Sequence, residues 1–232
     1  MTGGDWISFW NSKHSVYASA RHLDAHYRRI ADDLSRHVPA GGVVLDYGCG
    51  EALAADRIAA AAGRLMLCDA APNVRAALKA RFAGNDRIVV SAPEDVVALP
   101  AGSLDVVVMH SVAQYLKPGE LDGRLALFRR LLKPGGLLVL GDIIPPNVSP
   151  VTDAMALLRF GAQHGFLIAA FSGLARTAFS NYARLRSTVG LSHYDEQAMT
   201  AKLAAAGFTA QRASENIGHN PARMTFLARP AL

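Results

Sequence analysis

The sequence predicts an α/β fold in which a parallel, doubly wound sheet carries helices on both faces. Short β-rich runs alternate with helical segments across residues 43–144, and the connections between them are short. Leu104–Met109 is a continuous apolar run of the kind found in strands that are buried on both faces of a parallel sheet. Apolar residues also make up 51% of the 232-residue chain, which is enough to build a large core.

The first predicted element is a helix. Apolar residues recur at spacings of three and four from Val16 to Leu34, and this spacing gives a helix one apolar face. Pro39 and the two glycines at positions 41 and 42 end the helix before the sheet begins.

Five strands then alternate with helices. The predicted elements are strand 43–47, a helix ending at 62, strand 65–68, a helix from 72 to about 82, strand 87–90, strand 104–109, helix 121–132 and strand 137–144. Gly63 stops the first of these helices, and Pro72 suits the first turn of the second. Lys133-Pro134-Gly135-Gly136 predicts a tight turn before the fifth strand, which Pro145 and Pro146 end.

The alternation stops after this strand. Residues 152–186 are predicted to be helical and contain several glycines. A further helix at Asp195–Ala206, followed by a glycine, precedes two strands at 208–212 and 223–228. A helical insertion therefore separates the fifth strand from the last part of the sheet.

Composition and charge exclude several classes of protein. The formal net charge is +5, and the surplus is C-terminal, with eight basic and four acidic residues after position 150. No dense basic stripe with interleaved aromatic residues is present, so a nucleic-acid partner is not expected. The longest apolar stretch, residues 165–175, is too short to span a membrane. Because the first ten residues also lack a secretory signal, the expected location is cytoplasmic.

The cysteine content argues against a disulfide or zinc scaffold. Two cysteines in a chain of this length are too few for either. Cys49 and Cys68 both fall in segments predicted to be buried, where free cysteine acts as a small core residue. No metal site is therefore expected.

The residues after the first two strands predict a nucleoside-like ligand. In an open α/β sheet, ligands bind beyond the carboxyl ends of the strands. The first strand ends in the loop Asp46–Ala52, whose glycines allow a sharp turn, and the carboxylate of Asp69 after the second strand suits the two hydroxyl groups of a ribose. A dinucleotide is disfavoured, because Leu53 replaces the third glycine of its fingerprint and Glu51 places a carboxylate near the phosphates. A nucleoside without phosphates tolerates this carboxylate better, and acidic surroundings suit a cationic sulfonium cofactor.

Four stretches resemble the class I S-adenosylmethionine-dependent methyltransferases. They are Val43–Gly50, Leu67–Asp69, Ser103–Val108 and Leu131–Leu138, in the order and spacing of the family, and they cover about residues 40–145. The family usually has a further glycine where Ala52 stands, and alanine is a mild departure from that pattern.

The resemblance implies the architecture and the cofactor, S-adenosylmethionine. The expected fold is Rossmann-like, with seven strands in the order 3-2-1-4-5-7-6 and an antiparallel last strand. The chain is expected to form one methyltransferase domain over residues 1–232. Its parts are a helical cap at 1–40, a cofactor-binding core at 41–146, a helical lid at 147–192, and a final helix with a strand hairpin at 193–232.

The resemblance also implies how the cofactor is held. Asp46 is expected to hold the glycine loop and the methionine amino group, and Asp69 to take the ribose hydroxyl groups. Glu94 or Asp95 is expected to meet the adenine amino group, although either carboxylate also suits a helix start. The expected cofactor-binding residues are Tyr17, Arg21, Asp46, Gly48, Cys49, Gly50, Asp69, Ala70, Glu94, Asp95, His110 and Ser111.

Two of these expectations rest on local position. Tyr17 and Arg21 are one turn apart on the predicted N-terminal helix, which folds over the cofactor in many small-molecule members of the family. They are therefore expected to grip the methionine carboxylate, with simple packing of Tyr17 and solvation of Arg21 as the alternative. His110 and Ser111 follow strand four beside the expected sulfonium, although His110 also suits a purely structural hydrogen bond.

Candidate catalytic and acceptor-binding residues come mainly from loops. Methyl transfer from a sulfonium is an in-line displacement that needs alignment and exclusion of water, and it needs a base only if the acceptor must lose a proton. Histidine suits that task near neutral pH, so the catalytic candidates are His110, His193 and His219. The acceptor-binding candidates are His14, Tyr115, Arg159, His164 and Tyr182.

Residues 159–190 are the expected specificity segment. They combine four arginines and many apolar residues with no acidic residue, which predicts an acceptor with an apolar body and an anionic group. An ordinary amphipathic helix pair, a surface for anionic lipid and a homodimer contact stay open as alternatives. His110–Ala113 lacks the Asn/Asp-Pro-Pro-Tyr/Phe motif of enzymes that methylate the amines of bases or protein glutamine.

The sequence thus predicts an S-adenosylmethionine-dependent enzyme that methylates a small, partly apolar molecule, with oxygen as the favoured atom. Three alternatives remain. In the first, the enzyme methylates nitrogen or carbon, on a small molecule or a lipid. In the second, the chain is a non-catalytic module that binds S-adenosylmethionine. In the third, it is a cofactor-binding enzyme that no longer transfers methyl groups.

Overall fold

One sheet of seven strands organises the protein. The computed structural model describes residues 4–12, 17–178 and 190–231. The strands are β1 (Val43–Tyr47), β2 (Arg64–Cys68), β3 (Ile88–Ser91), β4 (Leu104–His110), β5 (Leu132–Ile143), β6 (Phe208–Arg212) and β7 (Met224–Pro230). Their order is β3-β2-β1-β4-β5-β7-β6, and β7 is antiparallel to both of its neighbours while the other pairs are parallel. The predicted strand order and the antiparallel last strand are confirmed.

Helices connect the strands and precede them. They are α1 (Gly4–Trp10), α2 (Ala20–Ser35), α3 (Ala55–Ala61), α4 (Pro72–Arg81), α5 (Pro93–Val97), α6 (Pro118–Leu131), α7 (Pro150–His164), α8 (Leu167–Ala178) and α9 (Glu196–Ala205). A short 3₁₀ helix, Ala113–Tyr115, follows β4. No helix in the described ranges combines the length and the apolar character that crossing a membrane requires.

Residues that alternate along the strands face two hydrophobic cores. Leu45 belongs to the core beneath α6 and α9, together with Phe128. The preceding residue, Val44, belongs to the opposite core, where it packs with Leu34 of α2 and Ile58 of α3. Because neighbouring side chains of a strand point to opposite faces, this division shows a sheet covered on both sides.

Glycines fix the register of β1 against β2. The Gly63 N–H donates to the carbonyl oxygen of Gly42 at 2.9 Å, and a Cβ atom on Gly63 would lie 2.3 Å from the carbonyl oxygen of Gly41. From this start the two strands run in parallel register to their carboxyl ends. Asp46 and Asp69 therefore emerge at the same edge of the sheet.

Two local features differ from the sequence prediction. The helix α2 begins at Ala20 rather than near Val16, because the Ser19 side chain accepts a hydrogen bond from the His22 N–H and caps it. Tyr17 therefore precedes the helix instead of lying one helical turn from Arg21.

The predicted tight turn at residues 133–136 lies inside a strand as a bulge. The pairing of β4 with β5 moves from Leu104 opposite Leu132 to Val106 opposite Leu137. Lys133 holds the bulge through its Nζ, which donates to both carboxylate oxygens of Asp105 at 2.8 Å. The strand β5 therefore begins five residues earlier than predicted.

We expect Gly63→Ala to destabilise the fold, because the new Cβ would collide with the Gly41 carbonyl oxygen. The free energy of unfolding, measured by urea titration, should fall by roughly 1–3 kcal/mol. Gly84→Ala is the matched control, since nothing lies within 4 Å of the position of its added Cβ. That variant should stay within about 0.5 kcal/mol of the wild-type protein. Equal effects of the two substitutions would contradict the backbone contact as the cause.

Candidate active site

The carboxyl ends of β1, β2, β4 and β5 open into a cavity of about 770 Å³. This volume falls in the range of small-molecule sites, roughly 300–1,000 Å³. Residues of α1, α2 and α6 and of the loop between β6 and β7 supply its walls. At one end, the Trp6 ring of α1 lies 4.5 Å from the Tyr115 ring, so α1 covers this part of the cavity.

A glycine loop after β1 lines the cavity. Gly48 and Gly50 have φ angles of +78° and +58°, in the left-handed region that glycine adopts without strain. A Cβ atom on Gly50 would lie 2.7 Å from the Tyr27 hydroxyl, which accepts a hydrogen bond from the Glu51 N–H at 2.8 Å. Helix α2 therefore holds the loop from the side opposite the sheet.

Asp69 ties this loop to the end of β2. Its Oδ2 accepts a hydrogen bond from the Gly50 N–H at 3.0 Å, and its Oδ1 accepts one from the Ala71 N–H at 2.8 Å. Each carboxylate oxygen has a second lone pair, so the side chain can accept further hydrogen bonds. Asp69 also lines the cavity.

Asp46 is a carboxylate whose charge no neighbouring group in the described ranges compensates. No residue in the described part of the chain donates a hydrogen bond to it or forms an ion pair with it. Burial, together with repulsion by the Asp69 carboxylate, raises the pKa of Asp46 to about 7. A cation that binds in the cavity beside Asp46 would therefore stabilise its ionised form.

A third carboxylate, that of Asp142, faces the cavity from the end of β5. Arg223 donates from Nη1 to Asp142 at 2.6 Å and from Nη2 to Asp153 at 3.1 Å, and all three side chains are largely buried. Burial alone raises the pKa of Asp142, but the Arg223 guanidinium, His110, the Ser111 hydrogen bond and His219 together outweigh burial and leave that pKa below its usual value. The Ser111 hydroxyl also donates to Asp142, at 2.6 Å.

Backbone strain is concentrated around the same cavity. Three non-glycine residues have positive φ angles in the described chain, namely Ala52 at +42°, Ser111 at +57° and Asp142 at +64°. All three line the cavity. Such conformations cost about 1–3 kcal/mol each and tend to occur at functional sites.

Three further histidines line the cavity, namely His22 and His26 from α2 and His219 from the loop before β7. Burial, together with repulsion by His219, lowers the pKa of His22 to about 4 and the pKa of His26 well below its ordinary value. Burial also lowers the pKa of His219. All three imidazoles are therefore uncharged at neutral pH.

Most of the predicted site residues line this one cavity. They are Tyr17, Asp46, Gly48, Cys49, Gly50, Asp69, Ala70, Glu94, His110, Ser111, Tyr115 and His219. Cys49 is buried, and burial raises the pKa of its thiol. The glycine loop, the two strand-end aspartates and the residues after β4 are thus brought together.

Other predicted residues lie outside the cavity. The guanidinium of Arg21 donates to the carbonyl oxygen of Gly165 at 3.2 Å, and the Asp95 carboxylate accepts from the Ala92 N–H at the start of α5. Arg159 borders a separate cavity of about 300 Å³ beside α7.

The remaining predicted residues divide into two groups. His164 and His193 are exposed and do not line the main cavity; next to His193, the ring of Tyr194 takes the buried position. His14 and Tyr182 lie outside the described residues, as do Arg184 and Arg186 of the arginine-rich segment.

Sequence reasoning missed several lining residues. His22 and His26 were detectable as two imidazoles four residues apart on a predicted helix. Asp142 was detectable as an acidic residue near the carboxyl end of a strand, by the argument that selected Asp46 and Asp69. Within the described ranges, no group of three His, Cys, Asp or Glu side chains could hold a metal ion.

The chain is similar to a known protein family and to several solved structures. Residues 45–140 match the protein family described as a methyltransferase domain. The complex of DhpI with SAH superposes with a TM-score of 0.63 and 13% identity, covering 99% of this chain and 97% of that one. The N-methyltransferase NodS from Bradyrhizobium japonicum WM9, bound to S-adenosyl-L-homocysteine, has a TM-score of 0.59 and 17% identity over 99% and 97%. The carbon methyltransferase CurJ has a TM-score of 0.54 and 17% identity over 83% and 49%. No curated protein sequence matches the chain.

These likenesses show the fold. The fold is that of the class I S-adenosylmethionine-dependent methyltransferases, and residues 45–140 match the methyltransferase domain family. The family that matches is therefore the one that the four sequence stretches predicted. One similar enzyme is named for nitrogen and another for carbon, so the shared fold does not decide the acceptor atom.

We expect Arg223→Met to destabilise the protein strongly, because it leaves two largely buried carboxylates without their counter-charge. The free energy of unfolding in urea at pH 7 should fall by roughly 3–5 kcal/mol. Arg212→Met is the control in the same hairpin, since Arg212 pairs with Glu196 in an exposed position and that pair contributes at most about 1 kcal/mol. A small loss in Arg223→Met, similar to that in the control, would be inconsistent with a buried charge network.

Proposed function

We propose that this protein is an S-adenosylmethionine-dependent methyltransferase whose acceptor is a small, partly apolar molecule. The observation that carries the proposal is the convergence of two strand-end carboxylates, Asp46 and Asp69, with a glycine loop in one cavity of small-molecule size. The match of residues 45–140 to the methyltransferase domain family supports it.

The residues present fit this cofactor. Asp46 lacks a cationic partner among the described residues and would balance the methionine ammonium group. Asp69, with lone pairs to spare after its two backbone hydrogen bonds, would accept the ribose hydroxyl groups. Glu94 lines the cavity and would meet the adenine amino group, whereas Asp95 is engaged at the start of α5.

When bound, S-adenosylmethionine supplies an electrophilic methyl group on a positively charged sulfur, which keeps the bonding electron pair as the methyl group leaves. The protein aligns the acceptor opposite that bond and keeps water away. The rings of α1 cover one end of the cavity and serve the second task. In this proposal four parts of the chain share these tasks. They are a cap at residues 1–40, a core at 41–146, a lid at 147–192, and a final helix with a hairpin at 193–232.

Oxygen is the proposed acceptor atom, and a neutral imidazole is the proposed base. An acceptor hydroxyl must lose its proton as the new carbon–oxygen bond forms, and an uncharged histidine can take that proton. His219 lines the cavity, and its lowered pKa keeps it uncharged at neutral pH. The Nε2 of His110 bonds to the carbonyl oxygen of Ile217, which favours a positioning role for His110. His193 is exposed and lies outside the cavity, so it is not proposed as the base.

Cofactor binding is the first test. Calorimetry should detect binding of S-adenosylmethionine and S-adenosylhomocysteine but not of NAD. Asp69→Ala should lower the affinity for both ligands at least tenfold, because it removes the partner of the ribose hydroxyl groups and releases the loop from β2. Asp86→Ala, at an exposed site after α4, should leave the affinities unchanged. Binding of NAD alone would overturn the proposed function.

Turnover is the second part of this test. Release of S-adenosylhomocysteine with any acceptor of a panel of small hydroxyl compounds would identify an enzyme. Cofactor binding without release, across hydroxyl, amine and carbon acceptors, would favour the non-catalytic module or an enzyme that no longer transfers methyl groups.

The pKa of Asp46 makes cofactor binding dependent on pH. This pKa is about 7 in the free protein, so an ammonium group bound beside Asp46 should drive proton release. We expect release of about half a proton at pH 7, and an affinity that falls up to about tenfold between pH 7.5 and pH 6. Calorimetry in buffers of different ionisation enthalpy measures the number of protons released on binding. Asp46→Asn should bind more weakly and lose this release; release unchanged in that variant would place the titrating group elsewhere.

A further inference from the structure

His219 is an imidazole of the cavity whose ring nitrogens a ligand can reach. Within the described ranges, neither nitrogen has a hydrogen-bond partner and neither is among the buried unpaired atoms. The other imidazoles differ, since Nδ1 of His22 accepts from the Ala18 N–H and Nδ1 of His26 is buried. Both nitrogens of His110 have partners as well. Because no hydrogen bond to the described chain orients the His219 ring, packing must set its direction.

Helix α7 supplies the surface on which this ring lies. The Phe160 ring stacks on His219, with centroids 4.8 Å apart and planes at 21°. Phe160 is 4% exposed and packs in a small core with Phe166 and Ala170, so its own position is fixed. An imidazole that stacks on a fixed ring keeps one plane, which aims its nitrogens along that plane.

The backbone on each side of His219 is tied to a carboxylate. The Gly218 N–H donates to Oδ2 of Asp33 in α2 at 3.1 Å. On the other side, Nδ2 of Asn220 donates to Oδ1 of Asp153 in α7 at 2.8 Å. Asn220 is 4% exposed, so this hydrogen bond is shielded from water. The loop is therefore anchored to two helices, with the imidazole between the anchors.

Two of these contacts come from one face of α7. Asp153 and Phe160 are seven residues apart, which is about two helical turns, so their side chains point to the same side of the helix. Asp153 also accepts from Nη2 of Arg223 at 3.1 Å, which joins α7 to the buried charge network of Asp142. One face of one helix thus holds the ring of His219 and the chain beside it.

Two carboxylates near His219 favour the cation that forms when the ring takes a proton. The titratable and charged groups that face the ring are Asp142 from β5, Asp153 from α7, Arg223 before β7, His110 from β4, and His22 and His26 from α2. Burial lowers the pKa of His219, whereas the carboxylates of Asp142 and Asp153 raise it. Arg223 and His110 act in the same direction as burial. Asp153 is therefore both an anchor of the loop and a charge that opposes the effect of burial.

We propose that α7 positions the base, with Asp153 and Phe160 as positioning residues for His219. The proposal rests on the proposed methyltransferase function and names the residues that support its base. As the acceptor oxygen bonds to the methyl carbon, the carbon–sulfur electron pair stays on sulfur and the hydroxyl proton passes to a ring nitrogen of His219. Asp153 holds the loop and balances the new imidazolium, and Phe160 keeps the ring in plane.

The first test removes the charge of Asp153. Asp153→Asn keeps an oxygen that can accept from Asn220, but its lost charge should lower the pKa of His219. Histidine NMR of cofactor-free protein measures this pKa, with His219→Gln to assign the signals. Glu196→Gln is the matched control, because it removes an exposed carboxylate that also pairs with an arginine, and it should leave the His219 pKa unchanged.

The second test removes the stacked ring. Phe160→Leu keeps an apolar side chain in the small core, but the ring-proton signals of His219 should lose the upfield shift that a stacked phenyl ring causes. Phe208→Leu is the control, since Phe208 is also buried, at 3% exposure, and does not line the cavity. The His219 signals should not move in that variant.

Turnover shows whether the positioning matters for catalysis. With a hydroxyl acceptor that supports release of S-adenosylhomocysteine, Asp153→Asn and Phe160→Leu should each lower kcat at least about tenfold and leave the KM for S-adenosylmethionine unchanged. The base must be uncharged to act, so the rise of kcat with pH should move to lower pH in Asp153→Asn. The controls should keep the wild-type kcat and pH profile.

Three outcomes would overturn the positioning role. They are an unchanged His219 pKa in an Asp153→Asn protein that unfolds in urea as the wild type does, unmoved His219 signals in Phe160→Leu, and full turnover in His219→Gln. The NMR measurements need no cofactor, so they decide how His219 is held by themselves. Calorimetry with S-adenosylmethionine reports the cofactor site separately, and wild-type protein that fails to bind it would count against the proposed function.

Discussion

The architecture of the site depends on one carboxylate that is bonded to two pieces of backbone. Asp69 joins the glycine loop after β1 to the start of α4, through the N–H groups of Gly50 and Ala71. The loop can therefore keep its left-handed glycines without a ligand, and its backbone stays open to the cavity. Tyr27 holds the same loop from α2. A surface that must receive a nucleoside is thus rigid from two sides, and its shape precedes binding.

The cavity treats charge differently at its two ends. Beside β1, Asp46 is without a cation among the described residues, and burial together with repulsion by Asp69 raises its pKa to about 7. Beside β5, Asp142 and Asp153 share Arg223, and the neighbouring imidazoles are uncharged. The first end therefore suits a ligand that carries positive charge.

The sequence predicted the parts of the protein that follow from local pattern. Alternation of apolar runs and the motif order predicted the sheet, and position at strand ends selected Asp46 and Asp69. The grouping of His22 and His26 in the cavity was not predicted, because His22 meets Phe166, in the turn between α7 and α8, only after α2 packs against α7. Periodicity does not encode such a contact. Likewise Arg223 and Asp142 are 81 residues apart. Arg159 was predicted to bind the acceptor from charge alone, which gives no direction, and it borders another cavity.

The place of β7 between β5 and β6 has a consequence for biosynthesis. β7 pairs with both neighbours, and Arg223 stands immediately before it. A nascent chain that has not yet released residues 223–230 from the ribosome therefore carries an open edge on β5 and two carboxylates without their guanidinium. Open edges invite pairing with other chains. The β5 edge of the sheet must wait for this segment, whereas β1 to β4 are synthesised earlier.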